Sequence, residues 1–396
     1  MLFRIVRSNT GWTAIMMILG LCYLVITGCE HNTGNFSQYP GFAEYFRNNP
    51  PSQDLPGPED RQLLRRFQPR FMLAEGQQKP IDFYQDYISS GVLSNGQGDV
   101  ISSDVTRELI NSYKNDQGVV FKHIPGKESG GATVYGRIDR ETVLFNTDSG
   151  KLLKPLTFLT YHAVFRSSGI PAGIPAWQET ALSLIFDLND WHQLDHYTAV
   201  SLVIEENNQS GVKPVAVMLQ QHNNLRTYLM GEEISIPADE RVVIDIAMRS
   251  NELYPHTSGP ARHRAVYMPD QDGMRFLLTG KNKPRFAGYD ITDGTIEVPY
   301  SLEYLPPDDA FYTFKGFLGE RRGMKGRDAP PGAAYNTLPE LKPLSIQLFT
   351  GYWRDNDEGD IERLEKTILK DSDYLGFAIL QKAEFYRNWV GIQQSK

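Results

Sequence analysis

Residues 195–205 read DHYTAVSLVIE, and apolar and polar side chains alternate along this stretch as they do in a half-buried β-strand. Val200, Leu202 and Ile204 fall on one face of such a strand. The polar turn ENNQSG follows, which predicts that the next apolar segment returns as a hairpin partner. Three other segments have strand character: 156–165 (LTFLTYHAVF), 212–222 (VKPVAVMLQQH) and 241–249 (RVVIDIAMR).

Strands joined by polar turns, with few long helical periods, favour two packed antiparallel sheets. The sequence therefore predicts a mostly β fold, an antiparallel β-sandwich over residues 61–335 with peripheral helices. A C-terminal helical extension is expected over residues 336–396. There Ile361, Leu364 and Ile368 form an apolar stripe at helical spacing.

The N-terminus has the pattern of an export signal. Residues 1–28 contain no Asp or Glu, and Arg4 and Arg7 precede an apolar run at 12–26 that is short for a transmembrane span. The run closes on the sequence ITGC, which ends at Cys29 and resembles the lipobox of bacterial lipoproteins. Small residues suit the signal peptidase, and the cysteine sulfur accepts the diacylglycerol. We therefore predict a signal peptide at 1–28 and lipidation on Cys29.

The residues after the cut indicate a tethered envelope protein. Glu30 follows the cysteine in place of the Asp that often retains lipoproteins in an inner membrane, so the outer membrane is favoured over the inner one. Residues 29–60 are polar and rich in Pro and Gly, which is typical of a tether. The two cysteines are Cys22 and Cys29. A fold without cysteine excludes thiol catalysis and cysteine-ligated metal, and it must be stabilised without disulfides.

Composition limits the classes of partner. The chain has 40 basic and 48 acidic residues, a net charge of −8, and no long Lys/Arg run. This argues against nucleic acid or anionic lipid as the main ligand. The expected partners are the membrane, through the lipid on Cys29, and an envelope protein or glycan.

A polar pocket is predicted where the ends of the central strands converge. Six of the eight histidines fall between residues 162 and 263, and Asp245 stands in the apolar run VVIDIAM, where a carboxylate is costly unless paired or metal-bound. The candidate metal ligands are Asp195, His196, His222 and Asp245. Imidazole with carboxylate suits Zn, Mn or Fe, whereas carboxylate and amide oxygens suit Ca or Mg.

The alternative is that this pocket holds no divalent cation. In that case His196 and His222 are hydrogen-bonded sheet residues, and Asp245 pairs with an arginine.

The sequence contains no GxSxG, HExxH or GxxxxGK[ST] motif, which lowers the case for an enzyme without removing it. The favoured hypothesis is a binding or structural module. The alternative is a metal-dependent hydrolase of phosphate esters or glycans that uses Asp195 and His222 around the cation.

Four segments, taken in order, resemble the family named after vacuolar protein sorting-associated protein sixty-two. They are RFQPRFMLAEGQQKPIDFY (66–84), DHYTAVSLVI (195–204), VAVMLQQHN (215–223) and FKGFLGERRGMKGRDAPPGAAY (314–335). Members of that family typically show an Asp-Trp-Glu-His strand, a strand that ends in Gln-His, a Ser-His-Ala turn and a segment rich in Gly and Pro. The resemblance implies a β-sandwich but no established catalytic reaction.

The family is distantly similar to necrosis-inducing secreted proteins, β-sandwiches that hold a divalent cation with Asp, His and Glu. This similarity implies a cation site, and a toxin-like activity on host membranes is a third hypothesis. The present chain departs from the pattern, because residues 195–198 read DHYT in place of Asp-Trp-Glu-His and residues 250–252 read SNE in place of Ser-His-Ala. Asp195 and the pair Gln221-His222 match the family motifs. The departures and the membrane tether argue against the toxin hypothesis.

Overall fold

A computed structural model describes most of the predicted sandwich. The described residues are 55–116, 118–124, 130–147, 150–177, 179–180, 194–195, 198–207, 211–221, 224–231, 234–235, 237–268, 285–306, 308–314 and 316–319. The predicted signal peptide, Cys29 and the predicted helical extension at 336–396 lie outside them. The first helix begins at Pro58, so it starts within the last residues of the predicted tether.

Among the described residues, helices are short and strands make up most of the regular structure. The helices are α1 (Pro58–Arg66), α2 (Arg107–Ser112) and α3 (Ala310–Thr313), with a π-helical turn at Phe83–Tyr87 and a 3-10 turn at Ile88–Ser90. The strands are β1 (Arg70–Leu73), β2 (Gly91–Ser94), β3 (Val100–Ser102), β4 (Val120–His123), β5 (Thr133–Thr147), β6 (Gly150–Ala163), β7 (Ala199–Asn207), β8 (Gly211–Gln221), β9 (Asn224–Leu229), β10 (Val243–Ile246), β11 (Leu253–Pro255), β12 (Arg262–Met268), β13 (Arg285–Thr292), β14 (Ile296–Val298) and β15 (Ser301–Glu303). Within the described ranges, no helix is both long and apolar enough to span a bilayer.

Two larger sheets form the sandwich. One has six strands in the order β15-β5-β6-β7-β8-β9, and the other has four in the order β11-β10-β1-β14. The pairs β1–β10 and β15–β5 are parallel, and the other pairs in both sheets are antiparallel. A three-stranded sheet, β3-β2-β4, and the hairpin β12–β13 complete the described strands. The predicted mostly β fold with short peripheral helices is therefore confirmed.

The two larger sheets share one hydrophobic core. Its residues from the six-stranded sheet include Val134, Ile138, Leu159, Tyr161, Val200, Leu202, Ile204, Val217 and Leu219, and those from the four-stranded sheet include Phe71, Leu73, Ile244, Ile246, Leu253 and Val298. Each fully buried side chain of this size contributes about 1.5–3 kcal/mol. Exposed ion pairs such as Arg66–Glu240 contribute at most about 1 kcal/mol, so packing between the sheets dominates stability.

The hairpin predicted from the alternating stretch is confirmed. Strands β7 and β8 pair antiparallel, with Val200 opposite Leu219, and the register shifts between Val203 and Ile204. Pro214 lies at that shift, opposite Ile204, where a residue without an N–H group is tolerated. The segment predicted at 241–249 forms the shorter strand β10, and this strand belongs to the opposite sheet.

The second face of the six-stranded sheet is also buried, but it carries polar side chains. Arg137 and Asp139 form an ion pair of 3.0 Å, with side chains 6% and 3% exposed. His162, on the neighbouring strand, is buried, and its ring lies 5.6 Å from that of Tyr312 between centroids. Within the described part of the chain, neither Nδ1 of His162 nor the Tyr312 hydroxyl has a hydrogen-bond partner.

The environment of His162 disfavours the protonated ring. Burial, and secondarily the positive charge of Arg137, lowers the pKa of His162 from 6.5 to about 3. The unfolded chain therefore binds a proton at a higher pH than the folded chain does. The stabilising contribution is complete above about pH 6.5 and is lost as the pH falls towards about 3.

We predict that His162 alone lowers the free energy of unfolding by about 1.4 kcal/mol for each unit that the pH falls between about 6.5 and about 3. His162→Gln should remove this part of the slope. Urea unfolding at about pH 7.5 and about pH 4.5 measures the difference. The matched control is His263→Gln, which removes an exposed imidazole. Equal slopes in the wild-type chain and His162→Gln would contradict the prediction.

Candidate functional site

Asp195 lies on the segment that leads into β7 and is held by both backbone and side chain. Its N–H donates to the carbonyl of Phe165 (2.9 Å), and its own carbonyl accepts from the Phe165 N–H (2.7 Å). The carboxylate accepts hydrogen bonds from Asn251 Nδ2 at 2.8 Å and from Thr198 Oγ1 at 3.2 Å. The side chain is buried, so these donors offset part of its desolvation.

Asn251 connects Asp195 to two other parts of the chain. Its Nδ2 also donates to the carbonyl of Ser167 (2.8 Å), and its Oδ1 accepts from Gln78 Nε2 (3.0 Å). The backbone φ of Asn251 is 60°, in the left-handed region, and that of Arg249 is 70°. Asparagine tolerates this conformation better than most residues, so the turn at 249–251 can present its amide to Asp195.

Asp245 is the second predicted carboxylate, and it has its own partners. It lies in β10 on the face away from the shared core, with its side chain 1% exposed. Its Oδ1 accepts from Nδ1 of His256 at 2.6 Å, and its Oδ2 accepts from the backbone N–H of Thr257 at 3.2 Å. Arg264 Nη2 lies 3.6 Å from Oδ2. Asp245 therefore has an arginine within ion-pair distance, as the alternative without a bound cation predicts.

The chain packs tightly around this carboxylate. A Cβ atom placed on Gly294 would lie 2.0 Å from Asp245 Oδ1 and 2.8 Å from the Cβ of Met72. Only glycine fits at this position without displacing Asp245. The turn before β14 therefore packs directly against the carboxylate of Asp245.

A third buried carboxylate supports the same region from the hairpin β12–β13. Asp290 is fully buried and accepts from Ser250 Oγ (2.6 Å) and from the hydroxyl of Tyr254 (2.7 Å). Burial, and then the charge of Asp290, raises the pKa of Tyr254 well above its usual value, so the hydroxyl keeps its proton and donates. The guanidinium carbon of Arg264 lies 5.5 Å from the centre of the Tyr254 ring, within the range of a cation–π contact.

The predicted metal site is only partly within the described residues. The described hydrogen bonds of Asp195 and Asp245 have no partner in common, while His196 and His222 lie outside the described residues, as does the lipidation site Cys29. Among the side chains that the structure describes, no three His, Cys, Asp or Glu residues come close enough to hold a metal ion. The four-residue cation site stays a prediction.

Sequence reasoning did not single out Asn251, Arg262 or Arg264 as site residues. Arg262 and Arg264 are two apart in the strand segment RHRAVYM, and this spacing places them on one face. Two arginines on one face of a strand indicate a basic surface, and this pattern is visible in the sequence. The pairing of His256 with Asp245 depends on the register of β10 with β11, which the sequence does not contain.

We predict that Asp195 and Asn251 are energetically coupled. Asn251→Gly should lower the free energy of unfolding by about 1.5–3 kcal/mol, because a buried carboxylate loses a donor. Asn251→Ala should cost roughly 1 kcal/mol more, since alanine resists the left-handed backbone. In a double-mutant cycle measured by urea unfolding, Asp195→Ala combined with Asn251→Gly should cost less than the sum of the two single changes. Strict additivity would show that the contact is not coupled.

Comparisons with known proteins leave the family open. No model of a protein family matches the chain, and no curated protein matches the chain significantly. The resemblance to the family named after vacuolar protein sorting-associated protein sixty-two therefore receives no support. Among solved structures, the crystal structure of the non-toxic HaNLP3 protein aligns with 71% of this chain and 95% of its own, at 12% identity and a TM-score of 0.31. A likeness at this level is too weak to support an argument about fold or function.

Proposed function

We propose that this chain is a lipid-anchored protein of the cell envelope whose β-sandwich acts as a binding or structural module. The ITGC sequence that ends at Cys29, after a basic and then apolar N-terminus, supports the anchor. The outer membrane is the proposed location because Glu30 follows the cysteine. The lipid, and not the acidic domain surface, provides membrane attachment in this proposal.

The proposal of a binding or structural module rests on the partners of the buried carboxylates, which are side chains and backbone groups of the protein itself. Asp195 is bonded by an amide and a hydroxyl, and Asp245 by an imidazole, a backbone N–H and a nearby guanidinium. These donors join separate segments of the chain and stabilise the region around the turn at 249–251. Such an arrangement supports a rigid scaffold that presents a surface to a partner.

The anchor is tested by Cys29→Ser in the full chain, expressed in a bacterial host. We expect the wild-type chain to incorporate labelled palmitate and to sediment with membranes, because the thiol is the acceptor of the diacylglycerol. The Cys29→Ser chain should lose the label and move to the soluble or unprocessed fraction. The matched control is Cys22→Ser, which lies within the predicted signal and should leave labelling unchanged. A labelled Cys29→Ser chain would overturn the anchor.

The hydrolase alternative makes a different prediction about metal content. Under the module proposal, the full chain purified in detergent should contain no stoichiometric divalent cation, and a chelator should leave its melting temperature unchanged. Elemental analysis and melting curves of the wild-type and Asp195→Asn chains measure both. One equivalent of metal per chain, lost in Asp195→Asn with the fold intact, would overturn the proposal and favour the metal-dependent hydrolase of phosphate esters or glycans.

A further inference from the structure

The outer face of the hairpin region combines partly or fully exposed basic side chains with buried carboxylates. Asp245 and Asp290 are 1% and 0% exposed, whereas the side chains of His256 and Arg264 are 24% and 22% exposed and Arg262 is exposed. In an acidic chain, this separation places positive groups at the surface and their counter-charges behind them.

Arg264 is fixed by its neighbours, and one of its nitrogens, Nη1, is not used in these contacts. Its Nε donates to Thr292 Oγ1 (3.1 Å), and its Nη2 donates to the carbonyl of Pro255 (3.1 Å) and to Thr257 Oγ1 (3.0 Å). Within the described residues, Nη1 makes no hydrogen bond, and it is not among the buried polar atoms that lack a partner. Nη1 therefore reaches solvent in a fixed orientation.

His256 is oriented in the same way. A carboxylate only accepts hydrogen bonds, so the ring donates from Nδ1 to Asp245. In the part of the chain that is described, Nε2 makes no hydrogen bond and is not a buried atom without a partner. The imidazole and the guanidinium of Arg264 both approach the carboxylate of Asp245, one at each oxygen, so they are close neighbours.

A second guanidinium lies against the turn that follows His256. Arg262 shares a face of β12 with Arg264, since the two are opposite Thr292 and Asp290 of β13. A Cβ atom on Gly259 would lie 3.8 Å from Arg262 Nη2, so the side chain borders the Thr257–Gly259 turn. No described side chain forms an ion pair with Arg262, which leaves its fork available.

We propose that His256, Arg262 and Arg264 form a binding site for the phosphoryl group of a free phosphate monoester. The guanidinium fork of Arg262 matches two phosphate oxygens in geometry and charge, and Nη1 of Arg264 adds further charge-assisted donation. Nε2 of His256 accepts from a P–OH group, or donates to a P–O⁻ oxygen when the ring is protonated. This inference rests on the proposed binding function and names its ligand class.

The test is titration calorimetry on the full chain in detergent at low salt, with glycerol phosphate as the ligand. Saturable binding is expected, and Arg262→Gln and Arg264→Gln should each weaken it by about 10-fold, since each removes a charge-assisted donor. The matched control, Arg66→Gln, removes an exposed guanidinium that pairs with Glu240 and should leave the affinity unchanged.

Three results would overturn the inference: no saturable binding, equal affinity in Arg262→Gln and the wild type, or binding only of a short-chain phosphatidylglycerol below its micelle concentration. The last result would identify a lipid headgroup as the source of the phosphate. Arg262 is exposed, so its variant remains informative even where Arg264→Gln fails to fold. A chain that is lipidated on Cys29 but does not bind glycerol phosphate overturns this site and leaves the anchor intact.

Discussion

Compensation of buried carboxylates is the constraint on which the rest of this structure depends. Asp195, Asp245, Asp290 and Asp309 are each at most 5% exposed. An ionised carboxylate in such a position is strongly unfavourable unless donors surround it. The donors come from distant parts of the sequence. Asn251 reaches Asp195, His256 reaches Asp245, and Arg107 reaches Asp309 at 2.8 Å. Each of these aspartates therefore links two segments of the chain through hydrogen bonds.

The hydrogen bonds of the buried carboxylates and the hydrophobic core contribute differently: the core provides stability, and the hydrogen bonds fix the positions of segments. Apolar packing between the two larger sheets provides most of the stability, but it is non-directional and tolerates sliding. A carboxylate bonded on both oxygens fixes one position of the neighbouring segment, because displacement leaves a buried charge without donors. The turn at 249–251 shows the consequence. Its left-handed residues are maintained by the hydrogen bonds of Asn251.

The strands could be predicted from the sequence because their signal is local. The alternation of Val200, Leu202 and Ile204 reports one buried face directly, and the structure places all three in the shared core. The assignment of β10 to the opposite sheet could not be predicted, because sheet order depends on contacts between distant segments. Asp245 could be predicted as a candidate site residue because a carboxylate within an apolar run is anomalous. Its partner His256 is one of six histidines between residues 162 and 263 but is not among the predicted ligands, and the register of β10 with β11 brings it to Asp245.

The register of β10 with β11 also positions His256 for the phosphoryl site proposed above, and side chains held in place favour selective binding. Arg264 and His256 are already immobilised by hydrogen bonds to the protein, so a ligand that contacts them does not have to order two long or rotatable side chains. Ordering such side chains costs about 0.5–1.5 kcal/mol each at an interface. Arg262 makes no such hydrogen bond to the described residues. More of the ordering cost therefore falls on ligand binding at Arg262, and its charge is less precisely positioned. Buried carboxylates, which stabilise the scaffold, thus also preorganise the cations at its surface.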